Sequence, residues 1–254
     1  MTIWIDPPAW PAHGRLWSHL ISDTAIEELH AFAERAGLPR RGFEGDHYDI
    51  PQERYAQAVA LGAAETSPAN IVRMLQDSGL RLRKRKGEKG IARVLGIAFP
   101  DGSRADIDLV RSTLPTPDAT TFAATVYVRD RAGHWLAVWS PRRQEWSAPG
   151  GWREPGETSE QTAIRECLEE TGIEIPAGGL RQVGYERFHP LSDTTWPIGK
   201  GRFLAVYRAA ITLDRPALNG PDDEPSRWMS SADFLAAVTD SWWFPMAETV
   251  VTSA

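Results

Sequence analysis

The sequence predicts an α/β protein with two domains, a small N-terminal α/β domain and a larger C-terminal α/β domain. Three observations support this fold class. A short β-rich segment and three helical patterns fill roughly the first 80 residues, a basic run follows, and from about residue 119 strand patterns surround one clear helix. A chain of 254 residues suits one large or two small domains at about 150 residues each.

Each element of the N-terminal domain has its own sequence signal. Ile3–Ile5 is predicted to form a strand. Thr24 and Glu27 form a predicted capping box for a first helix that ends at Gly37. Two further helices are predicted, one from near Pro51 to Gly62 and one with Ser67 as N-cap, Pro68 at its first position and Gly79 after its end.

A basic run marks the seam between the domains, since six of the nine residues from Arg81 to Lys89 are Lys or Arg. The run is interpreted as a solvated linker or helix tail, with an RNA or phosphate contact as the alternative. Segments 93–99 and 104–110 flank a turn and predict a β-hairpin. The predicted division is 1–90 for the N-terminal domain with its basic tail, 91–118 for the hairpin and a connector, and 119–254 for the C-terminal domain.

Composition and charge exclude several classes of protein. The chain is 42% hydrophobic and 24% charged, with a net charge of −6, and such a negative chain is a poor general binder of polyanions. The single cysteine, Cys167, supports neither a disulfide framework nor a thiol-rich zinc site. The sequence shows no membrane-spanning run and no signal peptide at its start. A cytoplasmic protein is therefore expected.

The C-terminal domain is predicted to carry its chemistry on one helix. Strands are expected at 122–128, 135–139, 182–188 and 203–211, around a helix at 159–171, with a later helix at 231–238. Thr158 and Gln161 form a capping box for the first of these helices, and Gly172 ends it. At about 100° per residue, one face of this helix carries three carboxylates, those of Glu166, Glu169 and Glu170. The other side is predicted to face the core, with Ile164, Cys167 and Leu168.

Three carboxylates on one helical face repel one another and need a compensating cation. Hard oxygen ligands without thiol or imidazole favour Mg²⁺, with Mn²⁺ as a second possibility. Arg165 can pair with one carboxylate and hold it in place. The glycines that precede the helix allow the backbone to approach a metal or phosphate closely. The pattern therefore predicts a divalent metal site.

The spacing of these residues resembles the signature of the Nudix hydrolase family. That signature is a Gly, then Glu after five residues, Arg-Glu after seven more, an apolar residue, any residue, Glu-Glu, any residue, Gly and an apolar residue. Every fixed position is filled, by Gly151, Glu157, Arg165, Glu166, Glu169, Glu170, Gly172 and Ile173. Cys167 stands where Leu or Ile is usual. The resemblance extends more loosely over 119–254 and implies an α/β/α sandwich with a mixed sheet.

The resemblance also implies an activity, the Mg²⁺-dependent hydrolysis of a pyrophosphate bond in a nucleoside diphosphate linked to another group. Nucleotide-sugars, ADP-ribose-like compounds and nucleoside triphosphates are the substrates it suggests. Glu166, Glu169, Glu170 and the Gly150 carbonyl would bind the metal, and Glu157 and Arg165 would align them. The general base would be a helix glutamate or an acidic residue of a later loop, for which the candidates are Asp222, Asp223 and Glu224.

Arg142, Arg143, Phe188 and Trp196 are candidate substrate contacts. The alternative to an enzyme is a catalytically silent regulator that binds a nucleotide, or an RNA-associated protein that uses the basic run; the intact glutamates favour the enzyme. Many relatives are dimers, so a homodimer is a further expectation.

Polar residues are dense in the N-terminal domain and are candidates for a second metal or phosphate site. They are Asp6, His19, Asp46, His47 and Asp49, with His13 and Asp23 nearby in sequence. If the strands ending at Asp6 and at Asp46 to Asp49 are parallel, these side chains would lie along one sheet edge. The alternative is that Asp23 caps a helix and the histidines bond locally. The domain resembles an uncharacterised small domain found fused to Nudix domains, and that resemblance implies no activity.

Overall fold

The computed structural model describes residues 2–176, 178–222 and 225–253. The chain forms two compact units that divide between Arg93 and Val94. None of the helices in the described part of the chain has the length and apolar composition of a membrane span.

The N-terminal unit alternates short strands and helices. In chain order it contains β1 (Ile3–Ile5), β2 (Trp10–Ala12), β3 (Arg15–Ser22), α1 (Ile26–Arg35), a 3-10 helix (Arg40–Gly42), β4 (Tyr48–Pro51), α2 (Gln52–Ala60), β5 (Ala64–Glu65) and α3 (Pro68–Asp77). The predicted first strand and three helices are confirmed.

Strand β3 is the central strand of the N-terminal sheet. It pairs antiparallel with β1, β2 and β4, while β1 pairs parallel with β5. β3 therefore lies between β1 and β4, which are not neighbours. Residues 46–49 lie before and at the start of β4 and not at its end, so the predicted edge of two parallel strand ends is wrong. Apolar residues of the helices, such as Phe32 and Leu75, pack with Ile5 and Leu20 in one core.

The start of α1 differs from its prediction. The N-cap is Ala25, and the hydroxyl of Thr24 donates to Asp23 instead of capping the helix. Ser22 Oγ accepts the N–H groups of Thr24 and Ala25 at 3.0 and 3.1 Å, just ahead of the helix. The predicted capping box is wrong because the N-cap is Ala25, one residue after Thr24, and the Ala25 side chain cannot accept a hydrogen bond. At α3, by contrast, Ser67 accepts the N–H of Asn70 as predicted.

The remaining elements build the larger sheet and its helices. They are β6 (Lys89–Ala98), β7 (Arg104–Arg111), a 3-10 helix (Asp118–Thr120), β8 (Thr121–Arg129), β9 (Trp135–Ser140), β10 (Glu145–Ser147), β11 (Gly150–Trp152), α4 (Ser159–Thr171), β12 (Arg181–Pro190), β13 (Phe203–Ala210), β14 (Ser226–Met229), α5 (Ser231–Ala237) and α6 (Phe244–Thr252). All the strands and helices predicted from residue 119 onward are present, and β10, β11, β14 and α6 are additional.

The larger sheet is mixed. Its order is β10-β9-β8-β13-β12-β7-β6, with β11 paired to β8 and β14 paired to β9. The pair β8 and β13 is parallel, whereas β12 is antiparallel to both β13 and β7. The hairpin of β6 and β7 thus extends this sheet through β7, where the sequence pattern suggested only a hairpin and connector ahead of the domain.

Helices cover both faces of the larger sheet. Val126 and Val128 of β8 pack in one core with Ala163 and Cys167 of α4. Side chains alternate between the faces of a strand, and the ring of Tyr127 contacts Phe234 of α5, 5.9 Å between ring centroids, on the opposite face. The C-terminal domain is therefore an α/β/α sandwich with a mixed sheet, as expected.

Candidate active site

Local signals fix both ends of α4. The Thr158 hydroxyl accepts the N–H of Gln161 at 3.2 Å, and the Gln161 side chain accepts the N–H of Thr158 at 2.8 Å. Gly172 ends the helix in the left-handed conformation, with φ of 74°, which glycine adopts without strain. The predicted capping box and stop are confirmed.

The core side of α4 is made of small residues. Ala163 and Cys167 are completely buried, four residues apart and so on one face of the helix. Ile164 and Leu168, which were expected on this side, are exposed. That expectation is wrong because the packing is centred on Ala163 and Cys167. Ile164 and Leu168 each follow one of these residues and so lie about 100° further around the helix.

Arg165 organises the acidic side of the site. Its guanidinium donates to Glu157 at 2.8 and 3.1 Å, to Glu166 at 2.9 Å and to Glu169 at 2.8 Å. It also donates to the backbone carbonyl of Trp152 at 2.9 Å. A planar fork of donors can hold several carboxylates in fixed positions, which the point charge of a lysine cannot do.

Glu157 is the most firmly held of these carboxylates. The hydrogen bond from Arg165 lowers its pKa to about 2, with further help from the N–H of Glu154 and the hydroxyl of Thr162. Glu157 therefore stays ionised across the physiological range and anchors the guanidinium.

The glycine pair of β11 lies directly against the helix glutamates. A Cβ on Gly151 would lie 2.5 Å from the carboxyl carbon of Glu166. The N–H of Gly150 donates to the Glu170 carboxylate at 3.0 Å. With glycine at position 151, the Glu166 carboxylate can occupy the space that a side chain would otherwise fill.

The charge around Glu166 is only partly compensated. Burial raises its pKa, and so do the negative charges of Glu169 and Asp222, against the opposing effect of Arg165. The carboxylate oxygens of Glu166, Glu169 and Glu170 are not drawn together into one group: among the described residues only His19, His47 and Asp49 have ligand atoms all within 4.8 Å of one another.

The later acidic loop reaches the end of α4. The N–H of Asp222 donates to the backbone carbonyl of Glu169 at 3.1 Å, and its charge acts on Glu166. Of the three acidic candidates from this loop, Asp222 is therefore next to the glutamates. Asp223 and Glu224 lie outside the described residues.

A cleft of about 580 Å³ opens beside the glutamates. One wall of the cleft comes from β11 and α4, which contribute Gly150, Gly151, Arg165, Glu166 and Glu170. The strands β9 and β10 and the loop between them contribute Val138, Ser140, Arg142, Arg143 and Ser147. The two arginines named as candidate substrate contacts thus line the same cleft as the glutamates.

Phe188 and Trp196 occupy a different place. Phe188 is buried, and its ring contacts Trp196 and Phe122, with ring centroids 5.8 and 5.2 Å apart. Neither Phe188 nor Trp196 is among the residues that line the cleft. Phe122 in turn contacts Trp152, with ring centroids 5.7 Å apart. Phe188 and Trp196 thus belong to an aromatic cluster that packs against Trp152 through Phe122.

Trp152 is the feature of the cleft that the sequence did not single out. It is 52% exposed and lines the cleft next to Gly151. Its signal in the sequence is its position, since it follows the glycine pair in a loop that is otherwise polar. Exposed indole rings provide flat faces for stacking.

Glu186 on β12 is a buried carboxyl group of the same domain. Burial raises its pKa to about 8, with the charge of Glu145 adding to the effect and that of Arg143 opposing it. At neutral pH this side chain is mostly protonated in the folded protein.

The Glu186→Gln variant is expected to remove a pH dependence of stability. The folded-state pKa of about 8 lies above the ordinary value of 4.5, so between these pH values the folded state holds a proton that the unfolded chain has released. Stability is therefore lost as the pH rises from 4.5 to 8. Because one pKa unit is worth about 1.4 kcal/mol and the Gln amide also has a burial cost, the variant is expected to gain about 2 kcal/mol at pH 8.

Urea unfolding of wild type and Glu186→Gln at several pH values measures this difference. The gain is expected to disappear near the ordinary pKa of a glutamate. An equal difference between the two proteins at pH 5 and pH 8 would show that Glu186 is ionised in the folded state.

The candidate residues of the N-terminal unit lie together. In the pairing of β3 with β4, His19 stands opposite Asp49. Asp6, just after β1, is hydrogen-bonded to the His19 ring at 2.9 Å, and Asp46 is hydrogen-bonded to the His47 ring at 2.5 Å. Burial lowers the pKa of His47, but its hydrogen bonds to Asp46 and Asp49 outweigh this effect and raise the pKa to about 9.

Two nearby polar residues do not join this group. Asp23 accepts from the N–H of Thr2 at 3.0 Å and from the indole of Trp4 at 2.9 Å. His13 lies in the exposed turn between β2 and β3. The alternative that Asp23 caps α1 is not borne out, since that cap is Ala25.

Comparisons with known proteins follow the division of the chain. Residues 3–78 match the model of a protein family of unknown function, DUF4031. Residues 119–249, just over half of the chain, match the NUDIX domain. A Mycobacterium tuberculosis protein described as "Putative mutator protein MutT4" is 33% identical over 118 residues, which are 46% of this chain and 42% of that protein. The chain thus spans less than half the length of this relative.

Solved structures that are similar to this chain include two pyrophosphohydrolases. A Bacillus subtilis pyrophosphohydrolase, BsRppH, is 18% identical with a TM-score of 0.43, covering 63% of this chain and 97% of its own. The E. coli dihydroneopterin triphosphate pyrophosphohydrolase is 21% identical with a TM-score of 0.41, covering 53% of this chain and 99% of its own. The NUDIX domain matches just over half of this chain, and every fixed position of the signature is filled. The chain therefore belongs to the Nudix hydrolase family.

Proposed function

We propose that the chain is a Mg²⁺-dependent hydrolase that cleaves the pyrophosphate bond of a nucleoside diphosphate linked to another group. The observation that carries the proposal is the glutamate face of α4, ordered by Arg165 at the wall of a cleft that also presents Arg142 and Arg143. Negative ligands and positive side chains in one cleft suit a substrate that is bound both through a cation and through its own phosphates.

The donor set suits Mg²⁺. The helix offers three carboxylates, Glu166, Glu169 and Glu170, and the backbone carbonyl of Gly150 is the fourth proposed ligand, so all the ligands are hard oxygens. The absence of a side chain at Gly151 leaves room for the Glu166 carboxylate. Mn²⁺ has the same preference for oxygen ligands. When bound, the cation would neutralise charge on the phosphate oxygens and activate the attacking water.

The other residues of the signature act through position. Glu157 holds the Arg165 guanidinium, which in turn fixes Glu166 and Glu169. We place the general base among the helix glutamates, which form the proposed metal site themselves. Asp222 is the alternative from the later loop, because its N–H donates to the backbone carbonyl of Glu169. A base must be within hydrogen-bond reach of the water from which it takes a proton.

The residues that line the cleft support a proposal for how the parts of the substrate are bound. Arg142 and Arg143 would bind phosphate oxygens, which guanidinium groups recognise well. Trp152 would stack against a base or another planar group. Nucleotide-sugars, ADP-ribose-like compounds and nucleoside triphosphates all carry a planar base and a pyrophosphate. We propose that the substrate belongs to one of these groups.

A panel of nucleoside diphosphate derivatives and nucleoside triphosphates tests the proposal. The purified chain is incubated with each compound in the presence of Mg²⁺, Mn²⁺ or EDTA, and the phosphate products are quantified. We expect cleavage of at least one class with Mg²⁺ and none with EDTA. Cleavage that EDTA leaves unchanged would contradict the metal assignment, and binding of nucleotides without cleavage would favour the silent regulator.

The basic run gives the RNA alternative less support than its sequence suggested. Arg81 pairs with Asp46, Lys84 and Lys89 pair with Glu44, and Arg85 pairs with Glu88. Three carboxylates thus pair with four of the six basic side chains and offset part of the positive charge that would otherwise attract a phosphate backbone. RNA binding and a homodimer remain predictions of the sequence.

A further inference from the structure

Two histidines and an aspartate of the N-terminal unit meet in one place. His19 is on β3, Asp49 stands opposite it on β4, and His47 lies just before β4. One ligand atom from each of the three lies within 4.8 Å of the others. The rings of the two histidines contact each other edge to face, with centroids 5.2 Å apart.

A buried carboxylate orients each histidine. Nδ1 of His19 is 2.9 Å from Asp6, and Nδ1 of His47 is 2.5 Å from Asp46. Both aspartates are buried. A carboxylate on one ring nitrogen fixes the tautomer and makes the other nitrogen a better metal ligand. Nε2 is therefore the nitrogen of each ring that its supporting aspartate does not use. Nε2 of His47 lies 3.4 Å from Oδ1 of Asp49, and a bound cation would take the place of the proton that these two groups share.

The supporting aspartates are held in turn by the fold. Asp6 also accepts the backbone N–H of His19 at 2.5 Å. Asp46 accepts from Arg81 at 3.1 Å and from the N–H of Leu82 at 2.8 Å. These bonds keep the carboxylates, and through them the imidazoles, in one orientation.

Solvent can reach the group. The side chain of Asp49 is 41% exposed and that of His19 is 26% exposed, whereas that of His47 is 13% exposed. The supporting aspartates are thus buried, whereas the side chains of His19 and Asp49 are accessible to solvent. Three protein ligands with an open position are typical of metal sites that bind a water or a substrate, while closed sites with four protein ligands are structural.

We propose that His19, His47 and Asp49 form a binding site for a divalent transition-metal ion of the zinc class, ligated through Nε2 of each histidine and a carboxylate oxygen of Asp49. Two imidazole nitrogens and one carboxylate suit Zn²⁺ and its neighbours in the first transition row, whereas Mg²⁺ prefers oxygen ligands. The site is made of different residues from the Nudix glutamates and uses different ligand chemistry. It also gives a role to an N-terminal unit whose family match carries none.

The test measures Zn²⁺ retained by the full chain after removal of free metal. The glutamates of α4 also bind divalent cations under the proposed function, so one variant carries Glu166→Gln, Glu169→Gln and Glu170→Gln together. We expect about one Zn²⁺ per chain in the wild type and in this triple variant. His19→Gln, His47→Gln and Asp49→Asn are each expected to weaken Zn²⁺ binding at least about 100-fold, since each removes a direct ligand and even changes to supporting residues weaken metal sites 10- to 100-fold.

Controls separate metal binding from folding. His13→Gln changes an exposed histidine outside the group and is expected to retain Zn²⁺. Circular dichroism and thermal unfolding report whether each variant is folded, and Asp49→Asn, at a half-exposed position, keeps the test valid if a histidine variant unfolds. Co²⁺ in place of Zn²⁺ is expected to give visible absorption bands that the triple variant keeps and the Asp49 variant loses.

Two results would overturn the proposal. The first is a wild-type chain that retains no Zn²⁺, which would leave the group as a hydrogen-bonded network. The second is Zn²⁺ retained by the His19, His47 and Asp49 variants but lost from the triple variant, which would place the ion at the glutamates. Because the readout is bound metal, its failure is distinguishable from a failure of nucleotide hydrolysis.

Discussion

Replacing Glu169 or Glu170 by Gln is expected to lower kcat/KM at least about 1000-fold and to leave the fold intact. Each glutamate is a proposed ligand of the cation that neutralises the phosphate charge, and such neutralisation contributes several kcal/mol to transition-state stability. A loss of about 4 kcal/mol corresponds to a factor of about 1000 in rate. Steady-state kinetics on the substrate found in the panel measures the loss, and circular dichroism checks the fold.

The fold should survive because the glutamates are not part of the core of α4. The packing of this helix is centred on Ala163 and Cys167, and its ends are fixed by Thr158 and Gly172. Gln has the shape of Glu and keeps an oxygen that can accept the N–H of Gly150, as Glu170 does. The substitution therefore removes charge and little else.

Glu160→Gln is the matched control. Glu160 lies in the first turn of the same helix, is exposed, and is not among the residues that line the cleft. We expect its Gln variant to keep wild-type activity. Full activity in a protein with Gln at both positions 169 and 170 would refute the metal assignment.

Local signals explain why so much of the C-terminal site could be predicted. A capping box and a terminal glycine define α4 without any tertiary contact, and the helix period then places the three glutamates on one face. The four-residue spacing of Arg165 and Glu169 also brings this pair together, whereas the contact of Arg165 with Glu157 depends on the loop before the helix. By contrast, burial of Cys167 with exposure of Leu168 depends on how close the helix lies to β8, which the period alone does not give.

Features that depend on distant partners could not be predicted in the same way. The strands β10 and β11 have three residues each and exist because β9 and β8 pair with them. The cleft position of Trp152 depends on Phe122 behind it. In the N-terminal unit the Asp/His group was predicted from composition, but its geometry comes from β3, which lies between β1 and β4.

Gly151→Ala is expected to lower activity at least about 100-fold with little effect on stability. The new Cβ would lie 2.5 Å from the carboxyl carbon of Glu166 and 2.5 and 2.6 Å from its two oxygens. Since these atoms are the far end of a flexible side chain, Glu166 can move away, but it then loses its place beside Arg165. A displacement of about 1 Å in a catalytic group can cost about 100-fold in rate.

Gly150→Ala, one residue earlier, is the informative contrast. Its Cβ would lie 2.4 Å from the backbone oxygen of Ala124 and 2.7 Å from the Cα of Thr125. Backbone in the middle of β8 cannot move as a carboxylate can, so this variant is expected to be destabilised by about 1 to 3 kcal/mol, the usual cost of overpacking. Thermal unfolding of both variants distinguishes the two effects, and equal destabilisation of both would contradict the reasoning.

A double variant shows whether Gly151→Ala acts through Glu166. If the methyl group works by displacing that carboxylate, Gly151→Ala combined with Glu166→Gln should lose no more activity than Glu166→Gln alone, because the two changes remove the same interaction. Losses that multiply would mean that the methyl group blocks the substrate or disturbs another ligand. Non-additive losses would show that glycine is needed at position 151 because it leaves space for the Glu166 carboxylate.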